Sequence, residues 1–330
     1  MIWVTWRQHR TLLVASGGLV ALMLAFLFVT GLGISHTFHA TGLATCLAVP
    51  TRDCGELASA FSDRYSSLGF LVPLFMVLPA LLGIFWGAPL VAREVEQGTY
   101  RLAWTQSVTR SRWIWTKIAV LFAATAAGAA LFTLVLSWWS RPLVLAGDNR
   151  FDPGIFDLRG FVPIAYALFA LALGIAAGAL IRRLVPAMLA TVTGYTLVRF
   201  FIAAFARPHY MATRVQSSSF FGLVAPGPRI GDWVISRTTV DAMGNVLGSG
   251  RGLDLNVLSA RCPGLIPSPG NLPDRDVVAA CAQRIGIHLR VVYQPGTQYW
   301  PFQGIESAIF VALAVGLLAL SVWLVKRKVS

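Results

Sequence analysis

Charge is scarce in this chain. Asp, Glu, Lys and Arg make up 12% of its 330 residues, about half the share found in soluble domains. Hydrophobic residues reach 56% and mean hydropathy is +0.67. A water-exposed globule cannot cover that much apolar surface with so few charges. Disorder is excluded too, because it requires low hydrophobicity and high charge. Lysine is almost missing: Lys117, Lys326 and Lys328 stand against 24 Arg. No G-x-x-x-x-G-K-[ST] can be built from these three, so the chain holds no ATP in a P-loop of its own. H-E-x-x-H and G-x-S-x-G are absent as well. His36 and His39 are three apart, but no Cys or acid stands at a matching spacing, so they read as loop histidines rather than metal ligands. The expectation is therefore no catalytic residues, no metal and no cofactor bound by this chain. The formal net charge is +13. No soluble basic face accompanies it, so it points to orientation charge on membrane loops rather than to a nucleic-acid partner.

What is abundant is long uncharged sequence. A bilayer-crossing helix needs about 20 mostly apolar residues. Uncharged stretches of that kind lie at 12–32, 68–92, between Lys117 and Arg141, between Arg159 and Arg182, from Leu184 to Ala206, and between Glu306 and Lys326. Six spans follow, and the fold class is an all-α polytopic membrane protein. The first run is about 21 residues, longer than the 7–15 of a signal-peptide core, and no A-x-A site follows it, so it reads as a retained span.

Cation counts orient the spans. With the N-terminus in the cytoplasm, the inside segments 1–11, 93–117, 182–183 and 326–330 hold twelve cations and two acids. The short outside loops 33–67 and 140–160 hold five cations and six acids. Both termini are then expected inside, at the plasma membrane. Aromatic belts agree: Trp3, Trp6, Trp113, Trp115 and Trp323 at the inner edge, Trp138, Trp139, Tyr299 and Trp300 at the outer.

All four cysteines fall in loops assigned outside: Cys46 and Cys54, then Cys262 and Cys281. Oxidising surroundings favour disulfides, locally Cys46–Cys54 and Cys262–Cys281, although four cysteines allow three connectivities. The region 207–303 is too long for a connector. Trp233–Val240, the turn-like Asp241–Asn245 and Val246 suggest a hairpin. Pro273-Asp274 opens a helix to about Arg284, and Ile287–Tyr293 alternates as a strand. A small α+β extracellular cap is expected there. The domains are thus 1–206 (five spans), 207–303 (cap) and 304–330 (sixth span and basic tail).

The spans carry their own signals. Gly174-x-x-x-Gly178 allows close helix approach, within the subunit or at a seam between copies. Pro73, Pro79 and Pro89 are able to kink the second span, which suits a moving pathway wall as well as an ordinary bundle. Every Asp and Glu lies in a loop or, for Glu306, at a span end, which argues against ion-coupled secondary transport. Arg199 reads as the sole intramembrane charge, about 22 Å in from Leu184. It either snorkels to the outer surface or faces a polar substrate path.

The segment from Ala92 to Lys117 begins with acids and ends with bases. Gly98-Thr99 gives a break and a cap, and a short amphipathic helix at the inner surface follows, about 98–112. Arg93, Glu94, Glu96, Gly98 and Thr99, then Arg110 and Lys117, resemble the R-E-x-E-x-G-T stretch, coupling helix and following basic positions of ABC-2-type exporter permeases. Ser107-Val-Thr-Arg110 departs from that family's P-x-S-R turn. Trp3-x-x-Trp6-Arg7-x-x-Arg10 resembles the family's connecting helix, and Tyr293-Gln-Pro and Tyr299-Trp-Pro-Phe are similar to segments of actinobacterial permeases.

The resemblance implies a permease, itself a homodimer or paired with a second permease, working with two separate ATP-binding subunits that hold the ATP and magnesium. Glu94 and Glu96 would contact the ATPase, and Arg110 and Lys117 would anchor the coupling helix. The substrate, a hydrophobic or amphipathic drug, antibiotic, lipid or peptide, would move outward past Pro73, Pro79 and Arg199. The alternative is an ABC-type sensing or immunity component that detects a peptide or antibiotic through its cap and exports nothing.

Overall fold

A computed structural model of the chain describes residues 2–49, 53–96, 110–147, 149–219, 231–249 and 275–328. The chain divides into two units, one helical and one built around a sheet.

The helical unit comprises residues up to 148, 152–207 and 301 onward. Its helices are α1 (Ile2–Ala40), α2 (Leu43–Leu47), α3 (Gly55–Tyr65), α4 (Leu71–Leu82), α5 (Ala88–Glu96), α6 (Arg110–Trp139), α7 (Arg141–Ala146), α8 (Pro153–Phe156), α9 (Val162–Ile181), α10 (Leu184–Phe201) and, beginning at its boundary, α12 (Tyr299–Lys328). Among the described residues, six helical stretches are long and apolar enough to cross a membrane: Gly17–Ala40, Gly55–Arg93, Ile118–Trp139, Val162–Ile181, Leu184–His209 and Gly296–Val325. Exposed Leu22, Val29, Leu134 and Phe200 cover their outer faces, as expected for helices solvated by lipid tails.

The second span is a relay of short elements. A 3₁₀ turn, Ser66–Phe70, joins α3 to α4, and a π-helical turn, Gly83–Gly87, joins α4 to α5. Of its three prolines, Pro73 and Pro89 fall in first turns, where a missing N–H is tolerated. Pro79 alone lies inside a helix, just ahead of the π-turn. Proline removes one ladder hydrogen bond, and the wider turn absorbs the irregularity.

The hub is α9. Its apolar window is 72% buried, against 11–33% for the other five. Four glycines explain how it packs so tightly. A Cβ on Gly174 would lie 2.2 Å from the Gly83 carbonyl oxygen, and one on Gly178 2.5 Å from that of Ala88. A Cβ on Gly83 or Gly87 would meet the Ala170 or Leu171 oxygen at 2.5 and 2.6 Å. The two backbones touch with no side chain between them. Gly174-x-x-x-Gly178 is therefore a contact within the subunit, made against the π-turn and α5. At one end of the bundle, Leu90, Val91, Ile118, Ile175, Val322 and Val325 form an apolar cluster. At the other, Leu27, Phe38, Phe61, Phe75, Leu136 and Trp139 form a second.

Two details fix the ends of α9. Arg182 closes it with φ 61°, the single non-glycine positive φ among the described residues, and so turns the chain into α10 at once. At its start, the Phe161 and Val162 N–H groups both donate to Gln303 Oε1, at 3.1 Å each, while Gln303 Nε2 donates to the Phe156 carbonyl at 2.9 Å. A buried amide on α12 thus satisfies donors that the first turn of α9 leaves open.

Near the start of the chain, Cys46 and Cys54 are disulfide-bonded, with Cα atoms 6.0 Å apart. Trp139 Nε1 donates to Thr30 Oγ1 at 2.9 Å, tying α6 to α1.

The second unit comprises 149–151 and 208–300. It holds β1 (Arg214–Ser219), β2 (Trp233–Val240), β3 (Val246–Ser249), α11 (Arg275–Arg284) and β4 (His288–Gln294). The four strands form one antiparallel sheet in the order β1-β4-β2-β3. The hairpin, helix and last strand expected from the sequence are present. The β1 strand was not expected: Arg-Val-Gln-Ser-Ser-Ser carries no apolar alternation and pairs through its backbone along β4. Asp241 organises the β2–β3 turn, its Oδ1 accepting from the Met243 and Asn245 N–H groups at 3.0 and 2.9 Å. Phe151 stacks on Trp233 at 5.7 Å, and Asn149 Nδ2 donates to the Asp232 carbonyl at 2.9 Å. Residues 149–151, assigned from sequence to a loop between spans, thereby join the sheet unit. Cys281 is disulfide-bonded; Cys262 lies outside the described residues.

Candidate functional site

Four charged side chains meet inside the helical unit. Asp157 lies in the short loop before α9, and Arg199 on the last turn of α10. Arg207 follows a π-turn, Ile202–Ala206, that extends α10. Glu306 lies two turns into α12. Arg207 holds Glu306 through two hydrogen bonds, Nε to Oε2 at 2.8 Å and Nη2 to Oε1 at 2.7 Å, a bidentate fork. Its Nη2 also reaches Asp157 Oδ1 at 2.5 Å, and Arg199 Nη2 reaches Asp157 Oδ2 at 2.5 Å. The Tyr166 hydroxyl lies between Asp157 Oδ1 and Glu306 Oε1, hydrogen-bonded to both.

Aromatic faces complete the enclosure. The Arg199 guanidinium lies 4.1 Å from the Tyr166 ring centroid, and that of Arg207 4.3 Å from Phe156. Tyr166 packs edge-on against Phe310 at 4.6 Å. Arg207 is 2% exposed, Asp157 3% and Glu306 fully buried.

Two cations face two anions, so the node is neutral. All four carboxylate oxygens already accept from a guanidinium. A cation entering the node would meet the two arginines already bound to those oxygens. Among the described residues, no group of His, Cys, Asp and Glu is arranged to hold a metal. The arrangement is a clasp: it ties the loop before α9 to the end of α10 and the start of α12. Removing one partner of such a buried pair leaves an uncompensated charge, worth about 3–5 kcal/mol.

The sequence reading of Arg199 is corrected here. It neither snorkels outward nor stands alone; it is paired with Asp157. Arg207, read as the first residue of a connection, is a second charge within the same span, and Glu306 lies inside a span rather than at its edge. Pairing was invisible in sequence because the partners are 42, 50 and 99 positions apart. The signal that was available is the excess: one arginine at 199 and another at 207, either side of an apolar turn.

The other singled-out residues lie elsewhere. Glu96 ends α5 and is exposed, and its Oε2 accepts from the Leu184 N–H at 3.0 Å. It therefore caps α10, where open N–H groups and the helix dipole favour an anion. Glu94 belongs to α5, Arg110 and Lys117 to α6, and Trp6, Arg7 and Arg10 to α1; their side chains lie outside the description. Gly98 and Thr99, and with them most of the expected coupling helix 98–112, lie outside the described residues. Pro73 is exposed and Pro79 half-buried on α4; neither belongs to the node.

Residues 17–207 match a family model described as ABC-2 membrane transporter related. The match covers more than half of the chain and takes in the first five spans. No curated protein and no solved structure matches it.

Proposed function

The chain belongs to the ABC-2 membrane transporter related family, and on that footing we propose that it is the permease of an ATP-driven exporter. Two copies, or one with a second permease, work with two separate ATP-binding subunits and move a hydrophobic or amphipathic substrate outward. The family match over 17–207 carries this reading. As a transport membrane subunit, the chain is not itself catalytic, and its family associates with ATP-binding subunits in general.

The geometry supports a specific route for the work of ATP. Residues 97–109 face the cytosol and dock on the ATPase pair. Glu96, at the edge of that segment, grips the first turn of α10 through a charge-assisted hydrogen bond. The glycine seam joins α5 to α9 backbone to backbone, and the tight turn at Arg182 joins α9 to α10. Displacement of the docking segment therefore moves α5, α9 and α10 together. About 22 Å along α10 lies Arg199 and the neutral clasp, which keeps α9, α10 and α12 in step at the outer end. By the family resemblance, Glu94 would contact the ATPase, Arg110 and Lys117 would anchor the docking segment, and Trp6, Arg7 and Arg10 would belong to a connecting helix.

The test is reconstitution with an ABC ATP-binding subunit in vesicles and efflux of a fluorescent amphipathic dye. Glu96→Ala and Gly98→Ala are expected to keep ATP hydrolysis and lose dye movement, without unfolding. Normal efflux by both variants would refute the route. The sheet unit of 149–151 and 208–300 favours a second reading, detection of a peptide or antibiotic without export. ATPase stimulation by such a ligand, with no movement of it, would decide for that reading.

A further inference from the structure

A cavity of about 380 Å³ opens inside the helical unit, lined by α3 and α4 and by α6 and α7. Its size falls within the range of small-molecule sites. The two spans that wall it contribute apolar surface only: Leu71, Val72 and Phe75 from α4, Leu136 and Trp139 from α6. All but Val72 are buried, and the five belong to one apolar cluster. Two of the rings are held from behind. Phe75 lies edge-on to Phe132 at 5.4 Å, and Trp139 Nε1 is tied to Thr30. The walls are therefore preformed. They hold no titratable group, so a charge placed against them would be desolvated without a counter-charge.

Polar groups enter from the short elements: Tyr65 at the end of α3, Ser66 in the 3₁₀ turn that follows, and Ser140 between α6 and α7. A hydroxyl has one proton to donate and two lone pairs to accept with. In all three the proton is already committed. Ser66 Oγ donates to the Asp63 carbonyl at 2.8 Å, and Ser140 Oγ to the Leu136 carbonyl at 2.7 Å. Thr37 Oγ1 gives its own proton to the Gly33 carbonyl at 3.0 Å, so the Tyr65 hydroxyl, 2.8 Å from Thr37 Oγ1, is the donor of that pair. What the three hydroxyls keep for a ligand is acceptor capacity. Arg159, the cation in the lining, is engaged by the Ser137 carbonyl at 3.4 Å and by a further contact, and no ligand group is assigned to it. The hydroxyls of the cavity thus ask for a donor, and its walls ask for an uncharged, apolar body.

We propose that this cavity binds an uncharged aromatic alcohol, an alkyl-substituted phenol, whose hydroxyl donates to the lone pairs left on Ser66 or Ser140 and whose ring and alkyl groups lie against Phe75, Leu136 and Trp139. Aromatic walls suit a ring, which packs edge-on or offset against them. The site rests on the cavity and the polarity of its hydroxyls, and is independent of the export reading.

The test uses the full-length protein in phosphatidylcholine nanodiscs and a para-alkyl phenol carrying a diazirine on its alkyl chain, with labelled positions mapped by mass spectrometry. Saturable labelling is expected on residues 71–75 and 136–144. The methyl ether of the same phenol keeps the shape and loses the proton; it should compete about two- to tenfold less well, the worth of one hydrogen bond. Ser66→Ala/Ser140→Ala should erase that preference and leave binding of the ether unchanged. Leu143 lines the cavity, and Leu143→Phe, which adds bulk there, should raise the half-saturating concentration at least about tenfold. An alkyl benzylammonium and an alkyl benzoate of equal size should both compete less well than the phenol. A benzylammonium that competed as well or better would make the occupant a cation held by Asp63 and overturn the neutral class. Labelling that does not saturate or spreads over all spans, an ether that competes as well as the phenol, or a preference that survives in the double serine variant would overturn the site.

Discussion

The neutral clasp makes a prediction that a simple count of salt bridges does not. Arg207→Met removes both of the guanidinium hydrogen bonds that hold the buried Glu306. Glu306→Leu leaves Asp157 facing two arginines, so one positive charge is uncompensated. Each single variant should lose about 3–5 kcal/mol, which is about a hundredfold to a few thousandfold in the unfolding equilibrium. The double variant removes one charge of each sign and leaves the Asp157–Arg199 pair at 2.5 Å intact. It should lose less than either single, because apolar replacement of a whole buried pair is often neutral or stabilising. The assay is unfolding in mixed micelles as the fraction of dodecyl sulfate rises, followed by helical circular dichroism. A double variant whose loss equals the sum of the two singles would refute the reasoning, as would singles within about 1 kcal/mol of the parent, the range of exposed pairs.

Other consequences are more local. Gly174→Ala drives a Cβ into the Gly83 carbonyl and should destabilise by about 1–3 kcal/mol in the same unfolding assay, whereas Gly128→Ala, with nothing within 4 Å, should be neutral or slightly stabilising. Gln303→Leu keeps the shape but strips the acceptor from the Phe161 and Val162 N–H groups; a loss of about 1–3 kcal/mol is expected, and Gln303→Glu, which buries a charge and loses the donor to the Phe156 carbonyl, should lose at least as much. Removing Cys46–Cys54, which closes a short loop, with Cys46→Ser/Cys54→Ser should lower stability by about 2–3 kcal/mol on the chain-entropy account, read in the same unfolding assay.

The helical architecture was legible because each span is apolar on every side and bounded by charges. A stretch such as 162–181 has no competing structure in lipid. The Gly174-x-x-x-Gly178 seam was legible as a close contact, but not its partner: Gly83 and Gly87 announce nothing until Pro79 and the π-turn place them opposite. The hairpin showed through β-branched residues and the Asp241 turn. The β1 strand did not, because its serine-rich sequence gains its pairing from the backbone of β4. The clasp was the largest omission. Arg199, Arg207, Asp157 and Glu306 were each read by local position, one as a lone charge and three as edges or loops. Only the tertiary fold brings 157, 199, 207 and 306 together, and charge balance in a low-dielectric interior is a property of the set.

The reading as an ATP-driven permease rests on the segment 97–109 facing the cytosol. Labelling a Trp104→Cys variant in intact cells with a membrane-impermeant maleimide measures that directly. No labelling before permeabilisation, labelling after it, and protection of the site when the ATP-binding subunit is co-expressed are the expected results. Labelling from outside intact cells would contradict the account.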